Sequence, residues 1–302
     1  MKTSFSKILP ALVAATACIA LLTGCKSRET ATGRLTVTAM LAPQATLIRE
    51  IAGDSVQVNT LIGTGVNPES YEPSVSAMRQ VAQSDLLMLS GALGFEQQLV
   101  ERLHDSNPRL TVHDTSAGIT PIYGTHSHPH HEHGEGHEHE HSVADPHTWT
   151  SVKNARVMAA NIHRILCDAD PALAPYYTER YHRLDHHLDS LDRALTLRLA
   201  PLEGKGFLIW HPSLSYLARD YGLRQIPIGA EGKEITPRAL KQIIDRANLS
   251  GCRVLFVQAD FDSSRAEAIS RQTGANVVTI NPLDPDWESQ IILIADGLAN
   301  NL

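Results

Sequence analysis

The chain has 302 residues, a formal charge of −7 with histidines neutral, and 42% apolar residues. That is ample material for a buried core in one large or two medium domains. The acidic balance excludes nucleic acid as a partner, which would need a basic face, and the four cysteines contain no CxxC pair that could build a thiolate zinc finger.

Lys2 and Lys7 precede the apolar run Ile8–Leu22, which is short for a bilayer span and suits the core of a signal peptide over residues 1–24. The run closes on Leu22-Thr23-Gly24-Cys25, the pattern of a bacterial lipobox, so Cys25 is expected to be acylated and to begin the mature chain. Residues 25–33 are polar and small, as a tether should be. Cleavage removes Lys2 and Lys7 and no acid, so the formal charge moves from −7 to −9. Nothing after residue 25 is long and apolar enough to cross a membrane, so the body is expected to be a soluble domain at the cell envelope, anchored by lipid and facing the periplasm or the cell exterior. Cys167 and Cys252 are the remaining cysteines; they could pair outside the cytoplasm, and nothing in the sequence shows that they meet.

Strand and helix patterns then alternate. Short β-rich runs fall at Leu35–Ala39, Val56–Leu61, Asp85–Leu89 and Leu110–His113, with helical spacing at 44–52, 74–83 and 95–105. Another helix is expected over 151–167. A second set of strands follows at Gly206–Trp210, Leu223–Ile228, Arg253–Gln258 and Asn276–Ile280, with helices near 214–221, 237–249, 263–273 and 287–300. Such alternation predicts an α/β protein of two lobes, each a four-stranded parallel sheet flanked by helices. The lobes are expected to cover 34–168 and 201–302. Between them one long helical pattern runs from Pro171 to Leu199 within a linking segment 169–200. Asp170 is its expected N-cap, Pro201 its stop, and Leu184, Leu188, Leu191, Leu195 and Leu199 form its stripe. At 1.5 Å per residue such a helix is about 40 Å long, and it limits how far two lobes can swing.

The segment before the 151–167 helix is the most unusual in the chain. A loop over 124–143 carries His126, His128, His130, His131, His133, His137, His139 and His141, half of the sixteen histidines, interleaved with Glu132, Glu135, Glu138 and Glu140. Imidazole and carboxylate together attract divalent cations, so the loop is expected to serve as a low-affinity accessory site that empties in mild acid.

Open parallel sheets bind ligands in the crevice beyond the carboxyl ends of their strands. That rule selects His211, directly after Trp210; Asn281, directly after Ile280; Glu69, in the turn following the second strand; and His147, just before the 151–167 helix. Two come from each half, so a cation bound by them would bridge the lobes. Asp145 could orient the His147 ring or serve the turn before Pro146. His182 and His186, spaced i, i+4 on the long helix, are expected to be exposed. Trp149 and Trp210 are expected to shield the cleft from water.

Over residues 34–302 the chain resembles the solute-binding lipoproteins of zinc and manganese ABC importers, the ZnuA-like group. The motifs are NPESYEP at 67–73, DPHTW at 145–149, WHPSLSYLARDYGL at 210–223, GKEITP at 232–237 and NVVTINPL at 276–283. The resemblance implies two lobes joined by one rigid helix, an interlobe metal site, delivery to a membrane permease, a monomer, and no catalysis. His147 and His211 match the family's ligands outright. Glu69 stands where the family usually has His, and Asn281 where it usually has Asp, which leaves Asn281 as a weak oxygen ligand or a bystander. Two imidazoles and one carboxylate leave Zn²⁺ at net +1, with water or Asn281 completing the site. Loss of an Asp weakens retention of hard ions most, so zinc is favoured over manganese or iron. Two other readings stay open: a metal-dependent adhesin, and a zinc hydrolase, although no HExxH, GxSxG or P-loop is present.

Overall fold

The computed structural model describes residues 34–104, 106–124, 143–228, 236–249, 253–259 and 263–301. In the first half, β1 (Leu35–Leu41), β2 (Val56–Ile62), β3 (Leu86–Leu89) and β4 (Thr111–Asp114) form a parallel sheet in the order β2-β1-β3-β4. It is crossed by α1 (Ala42–Ala52), α2 (Val75–Val81) and α3 (Glu96–His104). In the second half, β5 (Gly206–Ile209), β6 (Arg224–Pro227), β7 (Val254–Gln258) and β8 (Asn276–Ile280) repeat the pattern as β6-β5-β7-β8, all parallel. Here the helices are α6 (Ser215–Asp220), α7 (Pro237–Leu249), α8 (Ser263–Thr273) and α9 (Trp287–Asn301), following α4 (Val152–Ala169) and α5 (Ala174–Leu199) of the middle segment. The central strands read as continuous apolar runs because both faces are covered: all four residues of β5 and the first four of β7 are buried. Among the described residues no helix is long and apolar enough to cross a membrane.

The long helix is α5, and its leucine stripe faces inward: Leu188, Leu195 and Leu199 are buried, with Leu184 and Leu191 packed against them. Its start differs from the expected one. Asp170 ends α4, donating its N–H to the Leu166 carbonyl (2.9 Å), and Pro171 lies in the turn that follows. The helix begins after Leu173 with Pro175 in its first turn. Both prolines satisfy a first-turn rule, so the pattern alone could not choose between them. At 26 residues α5 is about 39 Å long. Arg156 of α4 clamps it, with Nε and Nη1 on the Asp185 and Asp189 carboxylates at 2.8 and 2.9 Å.

The two halves share one core. A single cluster of buried side chains runs from Val37, Ala39 and Leu87 of the first sheet to Phe207, Phe256 and Ile280 of the second. Directional bonds tie the same seam. The Trp149 indole donates to the Pro282 carbonyl (3.0 Å), and the Trp287 indole donates to the Trp149 carbonyl (2.6 Å). Thr46 donates to the Pro285 carbonyl (2.9 Å), and Arg219 of α6 reaches the Thr120 carbonyl (3.0 Å). Opening the seam would expose both indoles and strand these acceptors. Cys167 is a half-buried free thiol, and Cys252, Cys25 and the histidines of the loop lie outside the described residues.

Candidate metal centre in the interlobe cleft

Glu69 is set in place by its own turn. Pro68 opens a short 3₁₀ helix, Pro68–Ser70, and the Asn67 side chain caps it by accepting the Glu69 N–H (2.9 Å). Behind it Tyr71 packs edge-on against Phe95, with ring centroids 5.4 Å apart, and its hydroxyl donates to the Leu61 carbonyl (3.3 Å).

His147 is fixed more tightly. Asp145 Oδ1 accepts both the His147 N–H (2.9 Å) and a bond from ring Nδ1 (2.8 Å). With a carboxylate as acceptor Nδ1 carries the proton, which leaves the Nε2 lone pair free. Burial alone would push the Asp145 carboxyl up, but the hydrogen bonds it accepts from the His147 ring and backbone outweigh it and hold the group below its usual value. Tyr216, from the other half, donates its hydroxyl to the Asp145 carbonyl (2.9 Å), so α6 also braces this turn. His211 follows β5 as expected, just past the Trp210 N–H that donates to the Phe256 carbonyl (2.9 Å).

Three of the four sequence-derived residues converge. His147 Nε2 lies 3.2 Å from His211 Nε2 and 3.4 Å from Glu69 Oε1, and His211 Nε2 lies 3.5 Å from the same oxygen. The side chains are 3%, 11% and 12% exposed, so the donors sit nearly out of water yet open toward the cleft. Among the described residues this is the single place where three potential metal-binding side chains meet. Donors 2.0–2.1 Å from a tetrahedral zinc would be about 3.3–3.4 Å from one another. The observed triangle has those dimensions. The cavity beside it has a volume of about 80 Å³ and is lined by His147, Trp149, His211, Gln258 and Asn281. That space takes an ion with a few waters and falls well short of the several hundred cubic ångströms an organic substrate fills.

Asn281 borders the cavity, and both ends of its amide are tied into a local turn. Its Nδ2 donates to Asp284 and its Oδ1 accepts the Leu283 N–H, both at 3.2 Å, in the turn leading to α9. Trp149 lines the cleft as expected, whereas Trp210 packs into the far face of the second sheet with Leu208 and Ile228. Strand alternation explains it: adjacent residues point to opposite faces, and His211 takes the cleft side. His182 and His186 are exposed on α5. Gln258 and Tyr216 were missed by sequence reasoning. Gln258 ends β7 and obeys the same carboxyl-end rule as His211, so that rule could have found it.

Comparison with known proteins agrees with this architecture. Residues 37–292 match the ZnuA family, described as the periplasmic component A of the zinc-uptake complex. The chain belongs to the ZnuA family. A crystal structure of ZnuA superposes with a TM-score of 0.79 at 32% identity, covering 89% of this chain and 99% of that one. The iron-binding protein YfeA of Yersinia pestis is 28% identical over 237 residues, 76% of this chain and 71% of its own length. The zinc-binding lipoprotein AdcA of Streptococcus pneumoniae is 26% identical over 276 residues, 90% of this chain and 55% of its own length.

Proposed function

We propose that the protein captures a divalent cation, zinc before manganese or iron, between Glu69, His147 and His211, and delivers it to an ABC permease. The donor triangle, with edges of 3.2–3.5 Å, carries the reading. Its size suits a tetrahedral ion at zinc distances, and two imidazoles with one carboxylate are a borderline-soft set. Water completes the coordination in this reading, which the hydrogen bonds of the Asn281 amide to its own turn support. Family membership supports transport over catalysis, and so does a cavity with no room for an organic substrate. Residues 34–168 and 201–302 act as the two lobes on the linking segment 169–200, in a monomer. Cys25 carries the lipid that holds it at the envelope, and the histidines of residues 126–141 form a weak accessory site.

Zinc titration with elemental analysis tests this on the mature chain and on a variant lacking residues 126–141. One tight equivalent is expected in both. His147→Ala or His211→Ala should each weaken it by more than about 100-fold, beyond what loss of an outer partner costs. If deleting the loop abolishes all tight binding, the cleft is not the transport site.

A further inference from the structure

The cavity has a polar wall that none of the site motifs includes. In the parallel register β5 pairs Ile209 with Phe256, and β7 pairs Gln258 with Ile280. Carried two residues on, the first pairing sets His211 beside Gln258. The second puts Gln258 one residue from Asn281. Gln258 thus stands in the middle of the crevice where the second sheet ends, between the imidazole and the far wall.

Its amide is oriented. Nε2 donates to the Ser213 hydroxyl (3.2 Å), and Ser213 is itself fully buried and tied back by its N–H to the His211 carbonyl (2.7 Å). Nε2 has this partner, no hydrogen bond to Oε1 is found among the described residues, and Gln258 lines the cavity with His147 and His211. An amide carbonyl at the edge of a cation site can ligate the ion or accept a hydrogen bond from water on the ion. The second use orients the fourth ligand.

We propose that Gln258 is a specificity-determining residue of the cleft, whose amide, held through Nε2 by Ser213, uses Oε1 to orient the water that completes the coordination of the bound cation. The inference rests on the cation reading above. The choice of amide over carboxylate has its own consequence. Glu at 258 would have nearly the same shape, yet it would add a second negative charge and a strong oxygen donor. Hard cations gain most from added carboxylate oxygen, whereas zinc is already satisfied by imidazole. A neutral Gln258 therefore keeps the site at one carboxylate and disfavours manganese.

Chelator competition with Zn²⁺ and Mn²⁺, on the full mature chain and on Gln258→Glu and Gln258→Leu, tests it. Gln258→Glu should shift the zinc-over-manganese preference toward manganese by about tenfold or more. Gln258→Leu should weaken zinc by about tenfold, as removal of an outer-sphere partner does, with the melting temperature of the metal-free protein unchanged. Should Gln258→Leu fail to fold, the near-isosteric Gln258→Glu decides alone. If both metals bind every folded variant within twofold of the parent, while His147→Ala still abolishes tight zinc, Gln258 is only wall and the inference falls. If the parent chain holds no tight equivalent, the cation reading fails first.

Discussion

The two halves have the same strand order but present their polar groups to the cleft by different routes. In the second half the strand ends do it directly: His211, Gln258 and Asn281 follow or close β5, β7 and β8. In the first half that position is sealed. Gln44 of α1 accepts the Met40 N–H (2.7 Å) and donates to the Leu89 carbonyl (2.9 Å) and Thr115 hydroxyl (2.7 Å), closing the crevice between β1 and β3. The donors must then come from excursions, Glu69 from the loop after β2 and His147 from the segment before α4. A side chain on a strand end inherits the rigidity of the sheet. One on an excursion needs dedicated braces, and the Asn67 cap, the Tyr71–Phe95 contact and the Asp145–His147 pair supply them. The same topology therefore yields one wall that depends on its strands and one that depends on its braces.

Cutting a brace should cost far more than its distance from the ion suggests. Asp145→Asn keeps the shape but no longer selects the Nδ1-protonated ring, and zinc affinity is expected to fall by 10–100-fold, as for other outer partners of a ligating histidine. Competition against a calibrated chelator measures it. The pH course follows from the sign of the Asp145 shift. Because its folded value is depressed, the stabilisation it supplies is complete above the ordinary value of 3.8 and disappears as pH falls through the still lower folded one. Asp145 therefore stays ionised between pH 7 and 5 and contributes no change of its own to metal binding over that range. A parallel loss in Asp145→Asn, merely displaced in affinity, is the outcome consistent with this.

Glu96 braces the shoulder of the same wall. Its carboxylate accepts the N–H groups of Ser90 (2.6 Å) and Gly91 (2.9 Å), next to Phe95. Burial pushes its pKa from 4.5 to about 7, against the opposing effect of those hydrogen bonds. Raised in the folded state, the group stabilises in full below the unfolded value of 4.5, and that stabilisation is lost as pH rises through about 7. Relative to Glu96→Gln, the parent should therefore lose about 2 kcal/mol of stability between pH 5 and pH 8. Urea unfolding at the two pH values would sink the idea if the difference between the proteins stayed constant.

The seam between the walls is held by the indole pair. Trp287→Phe retains most of the apolar packing and leaves the buried Trp149 carbonyl without its donor, at a cost of about 1–2 kcal/mol in urea unfolding. Zinc release should quicken at the same time, since Trp149 lines the cleft beside His147. Unchanged release alongside lowered stability would mean that the two walls do not need this tie to hold the ion.

Much of this contrast is visible before folding, and its blind spots have physical causes. The strand-end wall follows from periodicity and one rule about parallel sheets, which places His211 and Asn281 without any tertiary information. The excursion wall is harder to read. That Asp145 orients His147, and does more than turn the chain, depends on a tertiary setting that includes Tyr216, bonded to the Asp145 carbonyl from 71 residues away. Asn281 was selected by position alone, and its commitment to Asp284 and Leu283 is a local turn that spacing cannot distinguish from an open side chain. Trp210 illustrates the limit of adjacency: the neighbour of a cleft residue on a strand lies on the opposite face.

A control on α5 separates the mere presence of imidazoles from their setting. His182 and His186 stand one turn apart on its exposed face, a spacing from which two rings can reach one ion. They are not part of what the cleft provides: a carboxylate completing a triangle, near-exclusion of water, and one ring held by Asp145. Bulk water competes for the cation, and both side chains must be ordered to bind it. The double variant His182→Ala, His186→Ala should leave the tight zinc equivalent unchanged and stability within about 0.5 kcal/mol of the parent. A measurable drop in tight zinc would place a required donor on the helix, and the cleft walls would no longer account for capture by themselves.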